Sequence, residues 1–274
     1  MGISKTDIGM TIVSLLATVA AWEILTWLFH IPGFILPAPS AVVAEAVTRY
    51  PLYLYSSWVT FYETVVGFLL AAAIGVFLAV IIVYSRVVRN MIYPQIVALQ
   101  IVPKVAIAPL LLIWAGYGLT SKVLLALLIA FFPIVVNMVT GLIAIEEELL
   151  DLCRILHSGR WQEFAKVRLP NALPYLFSSL KVASTLAVIG AVIGEFVGGS
   201  EGLGHLIIIA NTELRVSMSF VCLICLSLLG FLLYGIVIAA ERVFMPWEKW
   251  QSQRRRARWH EQKSNQHEAS RISF

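Results

Sequence analysis

The sequence predicts an all-α integral membrane protein built around about six transmembrane helices. Three observations predict it. Hydrophobic residues make up 59% of the 274 residues and charged ones only 13%, too little polar surface to coat a soluble core of that size. Mean hydropathy is +0.86. Six stretches approach the roughly 20 apolar residues that a helix needs to cross the hydrocarbon. They are residues 10–29, 60–84, 92–114, 122–145, 173–197 and 218–240.

The first stretch follows a single Lys5 and has no small-residue cleavage site after it, so it reads as a retained helix. Residues 30–59 contain IPGFILPAPS, whose prolines exclude a continuous helix. Ser40 is expected to cap a short amphipathic helix over 41–49, held at the outer interface by Tyr50, Tyr53, Tyr55 and Trp58. Pro103 and Pro109 in the third stretch and Pro133 in the fourth predict kinks, which suit either a pathway that opens or plain packing around bends. Small residues recur in the second stretch (Gly67, Ala71, Gly75) and the fifth (Ala183, Ala187, Gly190, Gly194). Such stripes allow close helix approach, within one bundle or at a dimer seam.

Between the fourth and fifth stretches lies a polar island, EEELLDLCRILHSGRWQEFAKVRLP, at 146–170. It is helical in pattern, mixed in charge and expected to close at its Leu-Pro step. A loop that only joined two helices would not need an amphipathic helix of this length, so the island reads as a dock for something in the aqueous phase.

Lys and Arg set the orientation. Lys5, Arg86, Arg89, Arg154, Arg160, Lys166, Arg168 and the tail residues Arg254, Arg255, Arg256 and Arg258 fall on one side. Arg49, Lys122 and Arg215 fall on the other. Both termini and the island are therefore expected in the cytoplasm, in a plasma (inner) membrane. The membrane domain is read as 1–247, with 248–274 a basic, disordered tail. Positive-inside sorting and anionic lipid account for the basic balance, and no nucleic acid is expected as a partner.

Five ionisable residues fall within or at the ends of the stretches: Glu23, Glu63, Lys104, Lys181 and Glu195. Such groups are functional candidates because they are costly in lipid. Lys104 is expected to snorkel from the inner end of its helix, and Glu63 to lie near the outer interface. Glu23 and Lys181 lie deeper and need a helix partner or a wet cavity. Glu195 precedes the turn VGGSEGLG and suits an outer gate or a hydrogen bond to that turn. Asn137 is the polar group most suited to a pathway wall, or to bonding a neighbouring helix. Asn137, Lys181 and Glu195 are thus the pathway or gate candidates. The five histidines are scattered, so no metal site is expected. Cys222 and Cys225 form a CxxC inside an apolar helix and read as packing residues, and Cys153 as a reduced cytoplasmic thiol. GYGLTSK lacks the glycine spacing of a phosphate loop, so the chain is not expected to hydrolyse ATP.

The island and several blocks carry a resemblance. The blocks are LPAPSAVV, PLLLIWAGYGLTSK, FFPIVVNMVTGL, RWQEFAKVRLPNALPYLFSSLKVA and EGLG, in order over about four-fifths of the chain. The chain resembles the membrane permease subunits of ATP-binding-cassette importers, in the nitrate/sulfonate/taurine/bicarbonate permease family. That family carries a cytoplasmic motif of EAA, three residues, G, nine residues, I, one residue and LP. Asp151 takes the Glu place, Leu152 and Cys153 the Ala places, His157 the Gly place and Val167 the Ile place, while Leu169 and Pro170 match. His157 in place of glycine puts the shape of the turn in question. Glu63 stands where the family often has Arg, and VPKVAIAPL departs from an Arg-Pro-rich version, which points away from the nitrate and taurine branches.

The resemblance implies a type I importer permease fold, commonly a homodimer, with two ATPase subunits below and an extracytoplasmic binding protein above. The solute would be small, and polar, anionic or heteroaromatic. No cofactor is expected on this chain, ATP being used by the partner ATPase. The island would supply a coupling helix seated in a groove on that ATPase. Leu149, Leu152, Ile155 and Leu156 would face the groove, with Glu148, Asp151, Arg154 and Arg160 at its rim and His157 and Gly159 at the turn. Two other classes are weighed. A membrane-embedded enzyme would need converging acids, histidines or metal ligands. A stand-alone secondary carrier would use Glu23, Glu63 and Lys181 for ion coupling, although no inverted repeat is apparent.

Overall fold

The computed structural model describes residues 5–246, and within these every regular element is helical. The basic tail expected to be disordered lies outside the described residues. The elements are α1 (Lys5–Leu28), α2 (Pro39–Thr48), α3 (Tyr50–Tyr84), α4 (Arg86–Leu99), α5 (Lys104–Ala115), α6 (Leu119–Ile143), α7 (Glu147–Ile155), α8 (Arg160–Glu163), α9 (Leu169–Gly198), α10 (Leu203–Thr212) and α11 (Val216–Phe244). Five helical runs are long and apolar enough to cross a membrane. The helices α4 and α5 reach that length and apolarity only together, and they are bent by 95° at the break between them. The third stretch is therefore not one kinked helix. Pro103 lacks an amide hydrogen and disfavours helical geometry before it, and the chain leaves the helix from Gln100 to Pro103.

The core is a seam of α3, α6 and α9, with α6 and α9 in the longest contact. The small-residue stripes make that contact inside this chain. A Cβ on Gly190 would fall 2.6 Å from Ala126 Cα, and one on Gly141 2.9 Å from Ala172 Cα. Ala71, Ala126, Ala130, Ala183 and Ala187 are fully buried along the same seam. Glycine and alanine allow backbones to approach closely where lipid gives no hydrophobic drive for association.

The periphery is looser. α1 stands outside the bundle, with almost none of its apolar window buried. Its attachments include the Trp22–Phe220 ring contact at 5.4 Å and Glu23, which accepts from Ser40 Oγ (2.7 Å) and Ser40 N (3.0 Å). Ser40 is thus not the cap expected of it. Ala38 takes that position, Pro39 opens the helix, and the Glu23 carboxylate satisfies the free amide. An apolar groove of about 690 Å³ runs between α9 and α11, lined by Val188, Val192, Phe196, Leu226, Phe231 and Tyr234.

Candidate coupling loop and buried charge cluster

The end of the bundle that carries residues 146–170 is here the loop end, and the opposite end the far end. At the loop end α7 begins with Glu147 and Glu148 and ends with Arg154, charges that suit the helix dipole. Asp151 and Arg154 pair with each other at 2.7 Å, exposed on the helix surface. The apolar residues of the same segment face out of the fold. Leu149 and Leu152 are about half exposed, and Ile155, Leu156 and Trp161 are more so.

α7 closes on a left-handed turn. His157 has φ 50°, its amide donates to Arg154 O (3.0 Å), and Ser158 N donates to Cys153 O (2.9 Å). That pair of bonds is the Schellman arrangement, with His157 at the position that usually holds glycine. The turn at the motif's glycine place therefore keeps its left-handed shape with histidine in it. Gly159 has φ −65° and opens α8 instead.

The island does not close at Leu169-Pro170. Helix runs from Arg160 to Gly198 without a break. A single π turn, Phe164–Arg168, absorbs the proline: Leu169 N donates to Phe164 O, and the wider turn accommodates the ring and its missing amide. Three side-chain bonds tie this segment to the end of α6. Arg168 Nη1 donates to Leu142 O (3.0 Å), and Asn171 Nδ2 to Gly141 O (3.0 Å) and Ala144 O (2.7 Å). Arg168 also pairs with Glu163 at 2.6 Å. The last carbonyls of α6, orphaned by the helix end, are thus capped by the root of the loop. Arg168, Asn171 and Glu163 were not among the candidates. The signal that could have found them is a cationic and an amide side chain flanking the Leu-Pro step.

At the far end the charges are internal. Glu63 of α3 and Lys122 of α6 meet at 2.7 Å, with side chains 2% and 5% exposed. Lys122 is therefore a residue of the first turn of α6 and not of an outer loop, and Glu63 faces the bundle near that helix end; each is buried because the other compensates its charge. Lys122 Nζ also donates to Glu201 O (3.1 Å). Glu195 accepts from Thr60 Oγ1 (2.6 Å) and Gly204 N (2.5 Å), and Thr60 Oγ1 accepts from Leu203 N (2.9 Å). Gly202, at φ 109°, is the point where the turn passes the Glu195 carboxylate, and a Cβ there would overlap it. Lys122, Thr60 and Glu195 thus hold the backbone of the turn into α10 from three helices. Glu195 makes the hydrogen bond to its turn that its position suggested.

Two candidates remain. Asn137 donates to Pro133 O of its own helix (2.8 Å). Lys181 pairs with Glu241 of α11 at 2.7 Å. Glu23, Glu63 and Lys181, which a secondary carrier would use, thus each have a separate partner.

Residues 71–243 match the model of the family "binding-protein-dependent transport system inner membrane component". A probable ABC transporter permease protein of Haemophilus influenzae is 38% identical, over 78% of this chain and 87% of its own length. The riboflavin transport system permease protein RibX of Chloroflexus aurantiacus is 37% identical, over 86% and 89%. The formylaminopyrimidine transport permease protein ThiX of Halalkalibacterium halodurans is 31% identical, over 83% and 91%. A chain from inward-facing structures of the MetNI methionine ABC transporter has the same fold, with a TM-score of 0.59 and 20% identity over 69% of this chain and 94% of that one. The chain belongs to the family of inner-membrane components of binding-protein-dependent transport systems, and it is a permease subunit of an ABC importer.

Proposed function

We propose that the chain works as a homodimeric importer permease driven by two separate ATPase subunits, with solute delivered by an extracytoplasmic binding protein. The observation that carries the ATPase contact is the exposed apolar surface of Leu149, Leu152, Ile155, Leu156 and Trp161 on a loop rooted in the bundle core. Apolar side chains of this size on a polar loop suit burial in a protein groove. Arg168 and Asn171 join the root of that loop to α6, so a pull on α7 moves α6 and α9 as one body. Nucleotide binding and hydrolysis belong to the partner, and no cofactor is assigned to this chain.

The loop end and both termini face the cytoplasm. With Lys122 inside the bundle, Arg49 and Arg215 remain as the basic residues of the far side, which sharpens the asymmetry. The carried solute is a small polar compound, anionic or heteroaromatic, as the riboflavin and formylaminopyrimidine names of two relatives suggest.

The test is purification with the ATPase and uptake into vesicles. ATP-dependent uptake that also needs the binding protein is the expected result. Uptake driven by an ion gradient alone would overturn it. For topology, Cys153 or Ser158→Cys is expected to react with an impermeant thiol reagent from the cytoplasmic side only.

A further inference from the structure

Outside the 146–170 segment the described spans hold three lysines. Lys122 and Lys181 each meet a carboxylate at 2.7 Å. Lys104 differs: among the described residues its contacts are Gln100 O at 2.5 Å and the face of Phe132, 5.1 Å from the ring centroid. Phe132 lies near the middle of α6 (Leu119–Ile143), roughly 20 Å from one end and 17 Å from the other. Lys104 is therefore close to mid-depth and does not snorkel to an interface as its sequence position suggested. It also stands in the first turn of α5, where the helix dipole disfavours a cation.

The surroundings point the same way. Residues 100–103 leave the helix at this depth, and Ile101 is 85% exposed. Non-helical backbone inside a membrane is tolerated only where other protein buries it or where it borders a wet cavity. A half-buried ammonium with no acid beside it among the described residues is costly there, and the Phe132 ring offsets only part of that cost. The hydrogen bond to Gln100 O uses one of its three donors and leaves two.

We propose that the α4–α5 break is a mid-membrane contact site for an acidic group of the transported solute. A carboxylate, sulfonate or phosphate oxygen accepts from Lys104 Nζ, beside the half-buried Gln100. This rests on the permease reading above and adds to it a residue and a charge class. The contact is transient by design, since a solute held tightly at mid-depth would not leave.

The test uses the intact permease–ATPase complex in detergent and probe pairs that differ in charge: benzoate with benzamide, and propanesulfonate with propanesulfonamide, at millimolar concentration. The acids are expected to raise the thermal transition and the amides not to. Lys104→Met should weaken the acid response about tenfold or more, and Lys104→Arg should keep it. In Lys104→Cys, position 104 should be modified by a water-soluble thiosulfonate reagent, read by peptide mass. Four results overturn the site: no response of the wild type to either acid, equal response to acid and amide, an unchanged response in Lys104→Met, or no modification at position 104. Failure of the permease reading looks different, because ATP-dependent uptake is then missing from the wild type itself.

Discussion

At the far end of the bundle the charges lie inside, and at the loop end the apolar side chains lie outside. Both arrangements invert the usual pattern, and each is explained by what covers it. Glu63, Lys122 and Glu195 are covered by the chain's own helices, and their hydrogen bonds run to one another and to the turn that they hold. Leu149, Leu152, Ile155 and Leu156 are left about half exposed or more among the described residues, and their segment is closed by local turns and by caps on α6. The difference separates an end whose polar groups the chain's own helices satisfy from an end that leaves apolar surface open.

The largest effect is expected from breaking the far end. Lys122→Met leaves Glu63 buried without its counter-charge, a loss on the order of 3–5 kcal/mol. Yield and thermal stability in detergent should both fall sharply. Adding Glu63→Gln should recover much of the loss, because the double variant buries no charge. Equal stability of the wild type and Lys122→Met would mean that the pair is not buried as described.

The loop end should respond in binding and not in folding. Leu156→Asp puts a charge on the outward apolar face, where it stays solvated in the free permease. Its thermal transition should be nearly unchanged. Against an apolar ATPase groove it should cost about 2–4 kcal/mol, or roughly 30- to 1,000-fold in affinity. Co-purification with the ATPase measures this, and unchanged complex yield would assign coupling to another surface.

Asn171→Ala tests the joint between the loop and α6. It removes the donors to Gly141 O and Ala144 O, at about 1–3 kcal/mol. The complex should still assemble, with more ATP hydrolysed per solute carried. A preserved ratio would show that the caps serve folding alone.

The smallest expected effect is a gain. His157→Gly relieves a left-handed backbone that a side chain disfavours by about 1–2 kcal/mol. The transition should rise by a degree or two with transport intact. A loss of transport would show that the imidazole, and not only the turn, matters at the ATPase contact.

Much of this was legible in sequence. Spans 10–29 and 122–145 lie within a few residues of α1 and α6, because a long apolar run in lipid has no structure open to it except helix. The α7 helix was legible because it keeps helical periodicity and a stop signal in the 146–170 island. The start of α3 was misplaced by ten residues: Tyr53, read as an anchor at the outer interface, is a buried helix residue. α10 was not foreseen, since ten residues are too few to signal a span.

The sequence by itself determined the composition-driven facts: a membrane protein, its approximate spans, its charge asymmetry and a loop that exposes apolar residues. These depend on local runs and periodicities, which each segment carries alone. Only the tertiary structure decided which charge meets which. Glu63 and Lys122 lie 59 positions apart, Thr60 and Glu195 135 apart, and no local rule links them. The pairing follows from the close seam of α3, α6 and α9, where glycines set the helix spacing and so fix which residues share a depth. In a medium without water, depth and spacing determine whether a buried charge finds a partner, and both belong to the packed bundle.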